Sequence, residues 1–199
     1  DNPLLVPFSQ KGLQKSFVAA TSGLVELSRS TGVPVVGYVA RSFSRDCLSM
    51  LDAADPSAGR ADTAVYDASL FQNSNFNWGD RSCFCYAKRR GLGGLDDPAT
   101  EMPTVGFTYL QTARDSTPAR LDIPVWVYES GSLDELADVV RAECVVGLGY
   151  PYPLETADQT AVIAARDRDI FLRTLQELAV REDLNFSVSR KDASKNRRR

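Results

Sequence analysis

Apolar positions change their spacing several times along the chain, and each change marks an element. Over residues 10–30, Leu13, Phe17, Ala20, Leu24 and Leu27 recur at three- and four-residue steps, which places them on one face of an α-helix. Gly32 stops the helix and Pro34 lies just beyond. Val33 to Ala40 is then continuously apolar and rich in β-branched residues, as in a buried strand of a sheet covered on both faces. Residues 41–46 are polar, with Ser44 placed to cap a short helix through Cys47, Leu48 and Leu51. Residues 1–8 read as the end of a strand and a loop, and residues 55–66 as a loop. Asp67 to Phe71 reads as a helical turn, Gly79 to Ser82 as a turn exposing Arg81 and Ser82, and Cys83 to Ala87 as extended chain. Gly91 to Asp97 is a glycine-rich loop.

Alternation resumes at Thr104–Leu110 and Arg120–Tyr128, two strands joined by a short polar link and so a hairpin. Pro124 predicts an edge position or a bulge for the second strand. Ser132-x-x-Glu135 is a capping box opening a helix through Leu136, Val139, Val140 and Val145, closed by Gly147. The seam Gly147-Leu148-Gly149-Tyr150-Pro151-Tyr152-Pro153-Leu154 breaks that helix. A long last helix marked by Ala157, Ala161, Ala164, Phe171, Leu175 and Leu178 follows. Rigid loops feeding a helix are frequent places for chemistry; the plainer alternative is a turn whose tyrosines pack. Helices interleaved with strands around a covered apolar strand predict an α/β fold with at least one parallel crossover.

Composition narrows the chemistry. A chain of 199 residues with a 43% hydrophobic share suits one packed domain. No apolar run approaches the roughly 18 residues that span a bilayer, and Asp1 to Pro7 lacks the pattern of a signal peptide. Since residue 1 is not Met, the numbering is expected to start inside a longer polypeptide. Cys47, Cys83, Cys85 and Cys144 lack zinc-type spacing and are expected as free thiols in the cytoplasm. There is no histidine, which excludes a histidine base, triad or metal ligand within these residues. Any metal would then be held by oxygen donors, favouring Mg²⁺ or Mn²⁺.

Net charge is only −3, but the basic residues are clustered. Arg81, Lys88, Arg89 and Arg90 lie among Phe84 and Tyr86, a combination suited to phosphate contact. The basic tail over 186–199 reads as a solvated end. Arg41 and Ser42, after the first strand, offer a perch for phosphate, or a plain capped turn. Arg120 offers a backbone-phosphate contact or a structural ion pair with Asp122.

Taken in order, several of these pieces resemble the NurA nuclease domain. They are Asp1-Asn2-Pro3-Leu4, Pro34 to Val39 with Arg41-Ser42, and Asp67 with Leu70-Phe71. Gly79-Asp80-Arg81-Ser82 with Phe84, Phe107-x-Tyr109-Leu110, and Arg120 to Trp126 come next. Gly147-x-Gly-Tyr-Pro-Tyr-Pro-Leu154 with Ala157, Ala161 and Val162 closes the set. The resemblance implies an RNase H-like α/β fold: a mixed sheet flanked by helices, with a long C-terminal helix. It implies a nuclease domain over residues 1–185, lacking its N-terminal strands, and then the tail.

The implied activity is divalent-metal-dependent hydrolysis of DNA, as exonuclease or endonuclease, in the end resection of double-strand-break repair. The implied partners are DNA ends, a hexameric ATPase of the HerA type and a second copy of the chain; no membrane is involved. Asp1 matches a metal-binding Asp of the family, although Asn2 replaces the usual Gly. Tyr150 matches the Tyr of the family's Gly-Tyr-Pro motif, and Asp158 falls where the family has a His. The resemblance thus implies Asp1, Tyr150 and Asp158 as catalytic residues, with Asp1 and Asp158 on Mn²⁺ or Mg²⁺. Arg41, Arg81, Ser82 and Arg120 are the candidates for DNA contact. An Asp can ligate such ions, but it is a poor proton shuttle near neutral pH. The alternative is a catalytically weak or inactive relative that binds DNA and the ATPase.

Overall fold

The computed structural model describes residues 3–5, 11–55, 65–72, 76–87, 103–114, 116–161 and 165–181. The chain forms two units, Asp1–Glu155 and Thr156–Arg199, taken separately below.

In the first unit the elements run α1 (Lys11–Thr31), β1 (Gly37–Val39), α2 (Asp46–Ala54), α3 (Asp67–Gln72), β2 (Cys85–Tyr86), β3 (Val105–Leu110), β4 (Ala119–Pro124), α4 (Val125–Glu129) and α5 (Leu133–Val146). The fold is mixed α/β. Its four strands lie in the order β1-β4-β3-β2, and every pair is antiparallel. The expected parallel crossover is therefore not found among the described strands. The β3–β4 hairpin forms as expected and occupies the centre of the sheet. Its register pairs Phe107 with Asp122, Tyr109 with Arg120 and Thr108 with Leu121.

That register sorts the side chains between two faces. One face carries Leu110, Ala119, Leu121 and Ile123, with Tyr38 of β1, and packs on Val127, Leu133, Leu136, Val140 and Cys144. The steps between Leu133, Leu136, Val140 and Cys144 are three and four residues, so α5 lays one stripe on the sheet. The other face carries Val105, Phe107 and Tyr109, packed with Leu5 and Val25, together with Arg120 and Asp122.

Three sequence expectations change. Pro124 ends a central strand rather than an edge strand; as the residue before α4, its missing N–H falls where the chain leaves the ladder. Val125 to Tyr128 is helical, not extended: the Val125 N–H donates to Thr104 O at 2.9 Å, and Val127 turns into the core. On α1 the buried side chains are Thr21, Val25 and Ser28, whereas Leu13, Leu24 and Leu27 are exposed. Ser28 Oγ donates to Val33 O at 2.6 Å, fixing the helix on the face next to the one its leucines mark.

The seam leads into α6 (Tyr152–Thr160), which crosses into the second unit, and α7 (Ala165–Arg181) follows. Instead of one long helix there are two, with residues 162–164 outside the described set. Phe171 and Leu178, expected on a packed face, are exposed. Among the described residues no helix is long and apolar enough to cross a membrane.

Candidate functional site

The seam after α5 is wound tightly by its backbone. Gly147 closes the helix, its N–H donating to Glu143 O at 3.0 Å, and the Gly149 N–H reaches back to Cys144 O at 2.7 Å. A Cβ on Gly147 would lie 1.9 Å from Tyr150 O, and Gly149 adopts φ +107°, a conformation that glycine tolerates. Leu148, between them, has φ 55° and a side chain 95% exposed. This winding aims Tyr150 back at the sheet. Its ring meets that of Tyr38 edge to face, 5.5 Å between centroids, and packs against the core. Burial raises the pKa of the Tyr38 hydroxyl, while a hydrogen bond with Thr112 opposes the rise.

Beside Tyr150 opens a cleft of about 670 Å³. Tyr38 and Ala40 of the edge strand and its continuation form one wall, and Arg41, Ser42 and Phe43 extend it. Tyr66, Ala68 and Ser69 at the start of α3 face them. Thr112, Ala113, Ser116 and Thr117, from the link between β3 and β4, close the floor with Leu148 and Gly149. Arg41 is the one charged side chain among these lining residues. Ser42 is buried, its Oγ accepting the Ser44 N–H at 3.3 Å.

Two of the expected site residues, Tyr150 and Arg41, therefore meet in one cleft, with Ser42 between β1 and Phe43. Arg81, Ser82 and Arg120, in the same unit, do not line it. Arg81 Nη2 pairs with Asp134 Oδ1 at 2.6 Å and its Nη1 donates to Ser82 O at 2.8 Å. Ser82 Oγ accepts the Tyr109 N–H at 2.9 Å, so Arg81 and Ser82 extend the sheet edge beside β3 rather than line the cleft. Asp158 is exposed on α6 in the second unit. Asp1 lies outside the described residues, as do Lys88, Arg89 and Arg90.

Arg120 sits on the opposite face of the sheet, only 2% exposed. Its Nε donates to Asp122 Oδ1 at 2.7 Å, and its Nη1 to Asp46 Oδ2 at 2.6 Å and Ser44 Oγ at 2.8 Å. Its guanidinium lies over the Phe107 ring, 3.9 Å from the centroid. Burial alone would lower its pKa, but the charges of Asp122 and Asp46 hold it above the ordinary value. This is the structural ion pair that the sequence allowed, and it encloses the group expected to meet a phosphate. Asp122 Oδ2 also accepts the Leu4 N–H at 3.1 Å, tying residues 3–5 to the sheet.

Sequence reasoning missed the neighbour of this pair. Asp67 is fully buried and accepts the N–H groups of Cys47 and Leu48, both at 3.0 Å, capping α2 from 20 residues away. It also accepts the Tyr109 hydroxyl at 3.0 Å. Ser44, the expected cap, accepts the Asp46 N–H at 3.3 Å as well as the Arg120 guanidinium, while the Cys47 and Leu48 N–H groups go to Asp67. Alongside, Cys85 has its pKa lowered to about 6 because the Cys47 thiol donates to its sulfur, against the opposing effect of burial. The Cys47 thiol is correspondingly raised. The Cys83 and Cys85 sulfurs lie 4.0 Å apart, and all four cysteines are free thiols.

Among the described residues no three Cys, Asp or Glu side chains group in a way that could hold a metal ion.

No curated protein and no solved structure matches the chain. The sequence model of the NurA domain matches residues 15–163, a span that includes Tyr150, Asp158, Arg41, Arg81, Ser82 and Arg120 but not Asp1. That span is more than half of the 199 residues, and the chain belongs to the NurA domain family, a family of nucleases.

Proposed function

We propose that the protein is a divalent-metal-dependent deoxyribonuclease that trims DNA ends in double-strand-break repair. The observation that carries this is the position of Tyr150, from the Gly-Tyr-Pro motif inside the matched span, in a cleft beside the exposed Arg41. A cationic side chain there suits a DNA backbone, which supplies affinity without sequence reading. The proposal assigns Asp1 and Asp158 to Mn²⁺ or Mg²⁺, which would activate water and neutralise charge on the phosphate. It extends to an RNase H-like arrangement and to a homodimer docked on a hexameric HerA-type ATPase in the cytoplasm.

The test is digestion of linear DNA by the full-length protein with Mn²⁺ or Mg²⁺, alongside Asp1→Ala, Asp158→Ala and Tyr150→Phe. Metal-dependent digestion that each substitution lowers by tenfold or more is expected; an intact protein inactive with both metals would sink the proposal. A second reading, a weak or inactive subunit that binds DNA and the ATPase, is favoured by Asp158 at the family's His position. Co-elution with the ATPase, without digestion, is its expected signature.

A further inference from the structure

At the mouth of the cleft an aromatic pair stands without an obvious packing role. Phe43 is 70% exposed and Tyr66 is 36% exposed. Their rings meet edge to face, 5.2 Å between centroids at 73°. Such a contact covers at most one face of a ring, so Phe43 presents an open, flat, apolar face. Arg41, two residues away, is exposed and lines the same cleft. Ser69, Ser116 and Thr117 add hydroxyl groups, and no carboxylate is among the described residues that line the cleft. A flat apolar surface, a single cation and several hydroxyls match a ligand with a flat face, hydrogen-bonding edges and one negative charge per unit.

We infer that this cleft holds one unpaired nucleotide of a DNA strand, its base stacked on Phe43 beside Tyr66 and its phosphate on Arg41. The inference rests on the reading that the protein acts on DNA, and adds the form of DNA it takes. Inside a duplex both faces of a base are covered by its neighbours. Away from its ends a duplex therefore has no base face to offer Phe43, whereas a single strand or a frayed end has one, and stacking of this kind tolerates any base.

The experiment measures binding by the full chain in EDTA, so that digestion does not intervene. The probes are a single strand containing 2-aminopurine, the same strand with an abasic site at that position, and a covalently closed circular duplex. Quenching of 2-aminopurine is expected on binding, with Phe43→Ala weakening single-strand affinity about tenfold and leaving duplex binding unchanged. Arg41→Ala is expected to reduce the slope of log affinity against log salt by about 0.7. Both positions are exposed, so an unchanged Tm checks the fold, and Phe43→Trp should retain binding. The inference is overturned if Phe43→Ala binds the intact strand as tightly as the wild type, or if the wild type does not distinguish intact from abasic strands. It is likewise overturned if Phe43→Ala disrupts only an ATPase complex, which would make the pair a protein-docking surface. Digestion of DNA that persists in the wild type with any of these outcomes removes this inference alone; absence of both binding and digestion removes the nuclease reading as well.

Discussion

Arg120 and Cys85 share one face of the sheet, and each gives a measurable consequence. Replacing Arg120 by Met leaves Asp122, which is fully buried, and Asp46 without their counter-charge. Breaking a buried pair from one side costs about 3–5 kcal/mol, so R120M is expected to lose that much stability in denaturant unfolding. A mutant of unchanged stability with weakened DNA binding would overturn the structural assignment. Cys85, with its pKa lowered to about 6 from the ordinary 9.0, is expected to react with iodoacetamide as a thiolate from just above pH 6. Cys144, pushed up to about 11 by burial, should stay unreactive until the solution is strongly alkaline. Because the folded value lies below the ordinary one, ionised Cys85 favours the folded state above pH 9. That contribution is lost as the pH falls through about 6. Cys47→Ala removes the hydrogen-bond donor and should move the labelling midpoint upward; mass spectrometry of labelled peptides across pH reads both.

The seam that carries Tyr150 shows what one element demands of its sequence. A Cβ at Gly147 has no room, since it would lie 1.9 Å from Tyr150 O and 3.0 Å from Tyr152 N. Gly147→Ala must shift backbone, not a side-chain tip, at an expected cost of about 1–3 kcal/mol. The thermal midpoint should fall and Tyr150 should leave its contact with Tyr38, seen as a changed tyrosine near-ultraviolet signal. An unchanged midpoint would mean that the loop yields freely. The glycines and prolines made this break visible in the sequence, and they mark the loop that lines the cleft. The capping of α2 was not visible, because Asp67 reaches it only through tertiary structure. The Ser132 box was legible as a helix start at Leu133, yet Ser132 makes no side-chain cap bond; its Oγ takes a hydrogen bond from Ser130 instead, at 3.1 Å.

Across the whole molecule, strands and helices were legible where spacing and punctuation agreed, as at β3 and α5. They were misread where hydrophobicity outweighed context. Val125-Trp126-Val127-Tyr128 has the composition of a strand but is turned into α4 by the end of the ladder at Pro124. The leucines of α1 outrank Thr21, Val25 and Ser28 in hydrophobicity, but the latter are the ones buried. Of the cleft, Arg41 and Tyr150 could be found from their motifs. Phe43 and Tyr66 could not be paired from the sequence, because only the fold brings them together. Sheet order was hidden for the same reason, and it has a consequence for synthesis on the ribosome. Among the described strands β1 pairs with β4 and β2 with β3, so these strands, made early, must wait for partners made late. At about 5–20 residues per second, Gly37–Val39 waits roughly 4–16 s for residues 120–122 to be made. During that interval β1 lacks its β4 partner, and a helper that covers short apolar segments would act on this stretch.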